Sequence, residues 1–399
     1  MIYPWLELVE AALSRWDTPF YLSAWGPVEA ALNDLRMLNG ALPVQHWLSF
    51  KTHPVAPLVR SWRKSGLGVE VVSHYEFLAA LKEGFEPNEI IINGVAKNRW
   101  LPGVDVEGLR VHFDSLNEAC DLASQARMQS WRTGIRCHVA EEYDPDEPAF
   151  VGQFGMMKDE VETALDVLAR KNVAVETIHF HLRSNVRSPD SYENAIEEAS
   201  EICRTARFNP INLDCGGGFP VPGERYESTD APTGVFDLHQ MKEVLDKVSS
   251  AFPSVRNVWF ENGRFISARS AVLVVRVIDI KSRGDSRYLI CDGGRTNNAL
   301  VSDWEKHDIL ILPNRDSPPI LTTIAGPTCM AFDRLARAYL PQDIQIGDHI
   351  IWMNAGAYHI PWETHFSHGL ARVIWCNADG ELFLARDAES FDAWWGQWV

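Results

Sequence analysis

Between Ala41 and about Asp214, short apolar runs alternate with amphipathic stretches, and this alternation constrains the chain more than any other feature. Residues 44–50, 69–72, 90–92, 109–113, 135–139, 177–182 and 211–215 read as strands, the last ending at Cys215. Residues 56–65, 75–82, 116–128, 159–170 and 192–206 carry apolar positions at helical spacing. Strand then helix, repeated, predicts a parallel sheet with crossover helices. With room for one more unit before Arg264, the pattern favours a closed TIM-type (β/α)8 barrel of roughly 250 residues over an open sheet.

After Arg264 the texture changes to β-branched runs at 271–280, 287–291, 318–324, 348–353 and 371–376, separated by turn residues, which predicts an antiparallel β domain. Thr18-Pro-Phe-Tyr-Leu-Ser reads as a strand of that second domain. The expected division is therefore a barrel over 30–265 and a β domain made of 1–29 with 266–399. A chain of 399 residues exceeds what one hydrophobic core usually serves, in agreement with two domains. No internal repeat or low-complexity tract interrupts the pattern, and the aromatic tail Phe391-Asp-Ala-Trp-Trp-Gly-Gln-Trp-Val reads as a terminal segment packed on the body or on a partner subunit.

The formal net charge of −17 sets an unfavourable field against nucleic acid or an anionic membrane, so neither is expected as a partner and a small-molecule ligand is. The seven cysteines are scattered without C-x-x-C spacing and read as reduced thiols in a cytoplasm. No basic-then-apolar leader opens the sequence and no apolar run reaches spanning length, so export and membrane insertion are not expected.

Five segments carry potential chemistry. Lys51 ends the apolar run Trp47-Leu-Ser-Phe and precedes Thr-His-Pro, at the C-terminal mouth of the first barrel strand, the face where barrel active sites lie. A lysine desolvated there forms a Schiff base with an aldehyde, although a solvated surface lysine is the commoner case. In Leu213-Asp-Cys-Gly-Gly-Gly-Phe-Pro, three glycines after a strand leave backbone N–H groups open to an anion, which favours a phosphate cradle over a tight turn. Phe260-Glu-Asn-Gly-Arg sets Glu261, Gly263 and Arg264 at another strand end, as a ring-nitrogen partner and a phosphate ligand or as an internal ion pair. In His179-Phe-His-Leu-Arg-Ser, strand alternation puts His179, His181 and Arg183 on one face. A packed or stacked histidine outweighs a metal-binding pair there, for want of acidic partners at matching strand ends, and no metal is expected. Cys329, in Gly-Pro-Thr-Cys, is by default a buried inert thiol, and its loop setting raises the functional reading.

In this order the segments resemble the alanine-racemase-like, fold-type-III pyridoxal-phosphate decarboxylases, the family of ornithine and diaminopimelate decarboxylases. The resemblance covers most of the chain: Thr18-Pro-Phe-Tyr, Lys51, Gly68-Val-Glu-Val-Val-Ser-His-Tyr-Glu76, Gln153-Phe-Gly, His181, the triple glycine, Glu261-Asn-Gly-Arg, Asp292-Gly-Gly, Gly326-Pro-Thr-Cys and Gly356-Ala-Tyr. Each motif alone is weak, and the ordered set is specific. It implies pyridoxal 5′-phosphate as cofactor, bound to Lys51 as a Schiff base and stacked by His181. It further implies Ser184, Gly216, Gly217, Gly218, Gly263, Arg264 and Tyr358 around the phosphate, and Glu261 at the pyridine nitrogen. In the decarboxylases the cysteine is offered across a homodimer interface, which would make Cys329 the acid that protonates Cα and the active sites shared.

The departures bear on substrate. An acidic residue follows that cysteine in the ornithine and diaminopimelate enzymes, where this chain has Met330. Asp292 is retained as a contact for a polar substrate group, and Arg183 replaces the usual glycine as a candidate anchor. The expected substrate is an amino acid whose side chain ends in a neutral or anionic group, such as a conjugated amino acid. Asparagine at 262 stands where the family prefers proline. Racemisation and a non-catalytic regulatory role are the competing readings. Glu261, in place of the arginine that racemases set at the ring nitrogen, favours decarboxylation, and the retained site residues count against a regulator.

Overall fold

The computed structural model describes residues 3–142, 152–222, 236–284, 286–298 and 307–399. Contacts divide the chain into two units, one of residues 31–51 with 59–265, the other of 1–30, 52–58 and 266–399.

The first unit is the barrel. Its strands are Val44–His46 continued by Leu48–Ser49, then Val69–Val71, Ile90–Ile92, Arg110–Phe113, Arg132–Arg136, Val175–His179, Asn212–Asp214 and Asn257–Phe260, every pairing between them parallel. The ring closes at Trp47. Its N–H donates to Phe260 O at 2.7 Å, whereas the next N–H, of Leu48, donates to Gly68 O at 3.1 Å, so the first strand passes from the last strand to the second within one residue. Helices such as His74–Lys82, Leu116–Met128, Lys158–Arg170 and Asp190–Thr205 return the chain between strands. Two of them start on serines whose hydroxyls accept the backbone N–H three positions on, Ser73 from Glu76 and Ser115 from Glu118. The connection after Ile90–Ile92 is made by short 3-10 turns at Lys97–Arg99 and Leu101–Gly103.

Alternation along the strands fills the barrel in layers. Trp47, Ile91 and Trp259 form a buried apolar plug, with Arg110 lying 5.3 Å from the Trp259 ring. Above it, His112 stacks near Trp259 and fits against Gly134, where a Cβ would come within 2.5 Å of the imidazole. At the C-terminal strand ends the inward positions turn polar: Ser49, Glu70, Asn93, Asp114, Arg136, His179, Asp214 and Glu261 are all buried.

The second unit is a nine-stranded sheet. Ala271–Arg283 is its spine, pairing antiparallel with Phe20–Ala24, Ser286–Cys291 and His349–Trp352. Two pairings are parallel, Phe20–Ala24 with Arg372–Cys376 and Ser286–Cys291 with Pro319–Ala325. Tyr21, Leu273, Val275 and Trp352 lie at its core. Three strands are absent from the pattern reading: Ile309–Leu312, Arg334–Pro341 and Leu382–Arg386. The last two end the sheet; in Arg334–Pro341 the exposed Arg334, Arg337 and Tyr339 break up the apolar pattern, whereas Leu382–Arg386 does open on the apolar run Leu-Phe-Leu-Ala.

Candidate active site

The polar layer at the barrel mouth holds most of the residues singled out from the sequence. Lys51 follows Ser49 on the inward face, and its Nζ lies 3.6 Å from Glu70 Oε2. Ser49 donates its hydroxyl to the same oxygen at 2.6 Å. Burial raises the Glu70 pKa, while the Lys51 charge and the Ser49 hydrogen bond lower it.

Glu261, placed by the last strand, sits at the centre. Asn93 donates to its Oε1, His179 Nε2 stands 3.7 Å from that oxygen, and His181 Nδ1 stands 3.4 Å from Oε2. Burial raises the Glu261 pKa, opposed by the charges of Lys51 and Arg136 and by hydrogen bonds from Asp214 and Asn93. Burial, with the charges of Arg136 and Lys51, lowers His181 to about 3 and keeps it neutral. Arg136 bonds Glu142 at 2.7 Å, lies 3.7 Å from Asp114 and covers the Phe154 ring at 4.6 Å. Lys97, buried without exposure, pairs with Glu118 at 2.7 Å.

The triple glycine wraps beneath His181. A Cβ on Gly216 would stand 2.6 Å from both His181 Nδ1 and Phe180 O, and one on Gly217 would stand 2.7 Å from Glu261 O. Gly216 and Gly218 also have φ of +61° and +125°, a region that favours glycine. The turn is held by Glu261 N to Gly216 O at 2.7 Å, Tyr192 Oη to Gly217 O at 2.8 Å and Val186 N to Gly218 O at 2.9 Å. Gly263 and Arg264 begin the short helix Gly263–Ser267, with Arg264 buried and the side-chain amide of Asn262 buried without a hydrogen-bond partner.

Two expectations change. The strand carrying His179 ends there, so the alternation does not extend to Arg183. Past Phe180 the chain turns over the glycines, and the Arg183 guanidinium donates to Glu141 O at 2.9 Å and Glu141 Oε2 at 3.0 Å instead of joining His181. Ser184 follows in the same loop, exposed. Acidic groups do meet the His-x-His pair: His179, His181 and Glu261, and likewise His112, Asp214 and Glu261, each bring three ligand-type atoms within 4.8 Å of one another.

In the second unit, Tyr358, at φ +68°, donates its N–H to Thr52 O at 2.8 Å, and His53 Nδ1 lies 2.5 Å from Gly356 O. Asp292 accepts the Thr18 hydroxyl at 2.5 Å and the Arg276 N–H at 2.8 Å. Cys329 and Met330 are exposed on their loop. That loop is fixed by a residue the motif reading passed over. Buried Asp333 accepts from Thr328 N at 3.0 Å, from the Thr328 hydroxyl at 2.5 Å and from Arg295 N at 2.8 Å, which ties the Gly-Pro-Thr-Cys and Asp-Gly-Gly segments together. Glu70, Asn93, Arg136 and Asp214 are further additions in the barrel. Each is a polar residue inside or just beyond an apolar run, the signal that could have found it.

A strand-end lysine, a neutral imidazole, a buried carboxyl and a glycine turn packed too closely for any Cβ fit pyridoxal phosphate, and a barrel with that set of groups defines a pyridoxal-phosphate enzyme. The sequence model of the pyridoxal binding domain of pyridoxal-dependent decarboxylases matches residues 29–268. The diaminopimelate decarboxylase of Aquifex aeolicus is 24% identical over 84% of this chain and 81% of its own length. The L-glutamyl-[BtrI acyl-carrier protein] decarboxylase of Niallia circulans is 26% identical over 90% of this chain and 88% of its own. The diaminopimelate decarboxylase structure from M. jannaschii, in complex with L-lysine, shares the fold with a TM-score of 0.85 over 98% of this chain and 94% of that one, at 18% identity. The chain belongs to the pyridoxal-dependent decarboxylases, enzymes that remove carbon dioxide from amino acids with pyridoxal phosphate.

Proposed function

We propose that this enzyme decarboxylates an amino acid whose side chain ends in a neutral or anionic group. The observation that carries the reading is Met330, half-exposed beside Cys329, where an apolar thioether stands in place of a carboxylate. Asp292, the other acidic group considered for a substrate contact, already accepts from Thr18 and Arg276. An ammonium group reaching position 330 would find no carboxylate there, and Asp292 is held in place by its two hydrogen bonds. Arg183, engaged by Glu141, is not used as an anchor, which favours the neutral end over the anionic one. The Niallia circulans relative, named for a glutamyl group carried on a protein, fits the same preference.

Pyridoxal phosphate supplies an electron sink for the bond to carbon dioxide. In this reading Lys51 holds it, with Glu70 as counter-charge to the amine. His181 covers it in neutral form, and Glu261 faces its ring nitrogen as the anion. Gly216 to Gly218 and Gly263, with Ser184, Arg264 and Tyr358, surround the phosphate. Cys329 returns the proton to Cα from a second copy of the chain. The exposed cysteine, Met330 and Phe332, 58% exposed, are the surface this homodimer covers.

The test is carbon dioxide release from purified protein loaded with pyridoxal phosphate. Ornithine, lysine and diaminopimelate are set beside γ-amide and γ-thioester conjugates of glutamate, with Lys51→Ala as control. Turnover of the conjugates at ten times or more the kcat/KM of the free diamines is expected. Fast turnover of an unmodified diamine overturns the substrate reading.

A further inference from the structure

Asp214 ends its barrel strand in register with Trp259, on the strand that delivers Glu261, so the two carboxyls enter one buried cell from adjacent strands. Its Oδ1 accepts the Gly216 N–H at 3.0 Å. Its Oδ2 is buried and receives no hydrogen bond. His112 Nδ1 stands 3.7 Å from that oxygen, and His112, Asp214 and Glu261 each bring one ring nitrogen or carboxylate oxygen within 4.8 Å of the others. Two carboxyls so close in a cell without solvent cannot both ionise.

Their surroundings decide which one keeps the proton. Glu261 faces the charges of Lys51 and Arg136 and takes the Asn93 amide, all favouring its anion. Asp214 is raised well above the usual carboxylate range by burial and by the charge of Glu261, with Glu70 adding to it and the Gly216 amide opposing. The neighbouring imidazoles offer no positive charge: burial, with the charges of Lys97 and Arg110, lowers His112 to about 3, and burial with His112 and Arg136 lowers His179 well below its usual value.

We infer that Asp214 is a positioning residue, a neutral carboxylic acid that donates its proton to Glu261 and leaves the pair one negative charge, held on Glu261. Oδ2 is then a donor, which accounts for its having nothing to accept. Glu261 is oriented from Asn93 on one side and Asp214 on another, with its charge directed to the barrel mouth. The consequence for the cofactor rests on Glu261 facing the ring nitrogen, whereas the protonation state is readable without cofactor.

The experiment is 13C NMR of the purified chain labelled at the aspartate side-chain carboxyl, as apoprotein and loaded with pyridoxal phosphate. One resonance absent from Asp214→Asn should sit at the neutral-acid position and stay there between about pH 5 and 9. In Glu261→Gln, where the like charge is gone, that resonance should ionise within the same range, which also assigns it should Asp214→Asn fail to fold. In loaded protein, Asp214→Ala should move the acid-side change of the visible cofactor band up by about one pH unit, since Glu261 loses a donor, and Asp214→Asn, which keeps an N–H donor, should restore it. A carboxylate resonance for Asp214 at neutral pH overturns the inference, as does an unmoved cofactor titration in Asp214→Ala. Stoichiometric metal in the purified protein overturns it as well, because a cation among His112, Asp214 and Glu261 would need both carboxyls ionised. The apoprotein resonance stands or falls independently of substrate and of decarboxylation.

Discussion

Lys51 Nζ lies 3.6 Å from Glu70 Oε2, the lysine side chain 36% exposed and the carboxyl 1%. A buried acid beside a half-open amine holds the amine in place while leaving one side of it reachable. Replacing Glu70 by Gln keeps the shape and the Ser49 contact but removes the counter-charge. We expect kcat/KM for carbon dioxide release to fall about tenfold or more, with Tm within a few degrees of wild type because Lys51 is partly solvated. Steady-state kinetics beside a thermal melt check this. An unaltered kcat/KM would reduce Glu70 to a packing group.

Gly216→Ala should damage cofactor binding more than folding of the second unit. The added Cβ meets backbone at Phe180 O and the His181 ring, both at 2.6 Å, and φ is +61°. The chain must shift where the phosphate cradle is proposed. A loss of about 1–3 kcal/mol in stability and a Kd for pyridoxal phosphate weaker by about tenfold or more are expected, measured by denaturant unfolding and by titration of the visible band. Wild-type affinity would place the phosphate elsewhere.

The barrel was legible because most of its strands include a short buried apolar run followed by a helix or turn, as in Val69–Val71 and Ile90–Ile92, buried throughout. Lys51, Glu261 and the glycines announced themselves at the ends of those runs. Glu70 and Asp214 were less visible, since a carboxyl inside a barrel looks in sequence like a carboxyl on its surface, and only the partner across the strands tells them apart. Arg183 failed for a related reason: alternation predicts a face only while the strand lasts, and this strand stops at His179. Asp333 makes its bonds to backbone across two loops, a contact with no sequence periodicity at all.

His53 gives the second unit a pH dependence. Burial lowers its pKa from 6.5 to about 4, partly offset by its bond to Gly356 O. A folded value below the unfolded one means that the unfolded chain binds the extra proton first. The stabilisation is therefore complete above about pH 6.5 and is lost as pH falls through about 4, at most about 3 kcal/mol. His53→Asn, which retains a donor for Gly356 O, should flatten the fall in Tm between about pH 7 and 4.5 relative to wild type. Parallel melting curves for the two proteins would count against the assignment.

Asp333→Ala should separate catalysis from cofactor binding. The carboxyl holds Thr328 and Arg295 from opposite sides, so its loss frees the Cys329 loop while the barrel site is untouched. Carbon dioxide release should drop about thirtyfold or more with the visible cofactor band retained, and Asp333→Asn should recover part of it. If the variant loses the band as well, the loop and the cofactor site are not separable and Asp333 is a folding residue.

Met330→Glu tests specificity at one position. The substitution sets a carboxylate beside Cys329 on an exposed loop, where it needs no repacking, since Met330 is 36% exposed. A charge placed where a substrate ammonium arrives gives up solvent but gains a partner, an exchange worth about 1–3 kcal/mol when both groups are half-shielded. The ratio of kcat/KM for ornithine or diaminopimelate over a neutral glutamate conjugate should therefore rise about tenfold or more, through better diamine turnover and poorer conjugate turnover together. A change in both substrates by the same factor would mean that position 330 acts on the Cys329 thiol and not on the substrate side chain. An unchanged ratio would move the specificity contact to another part of the site.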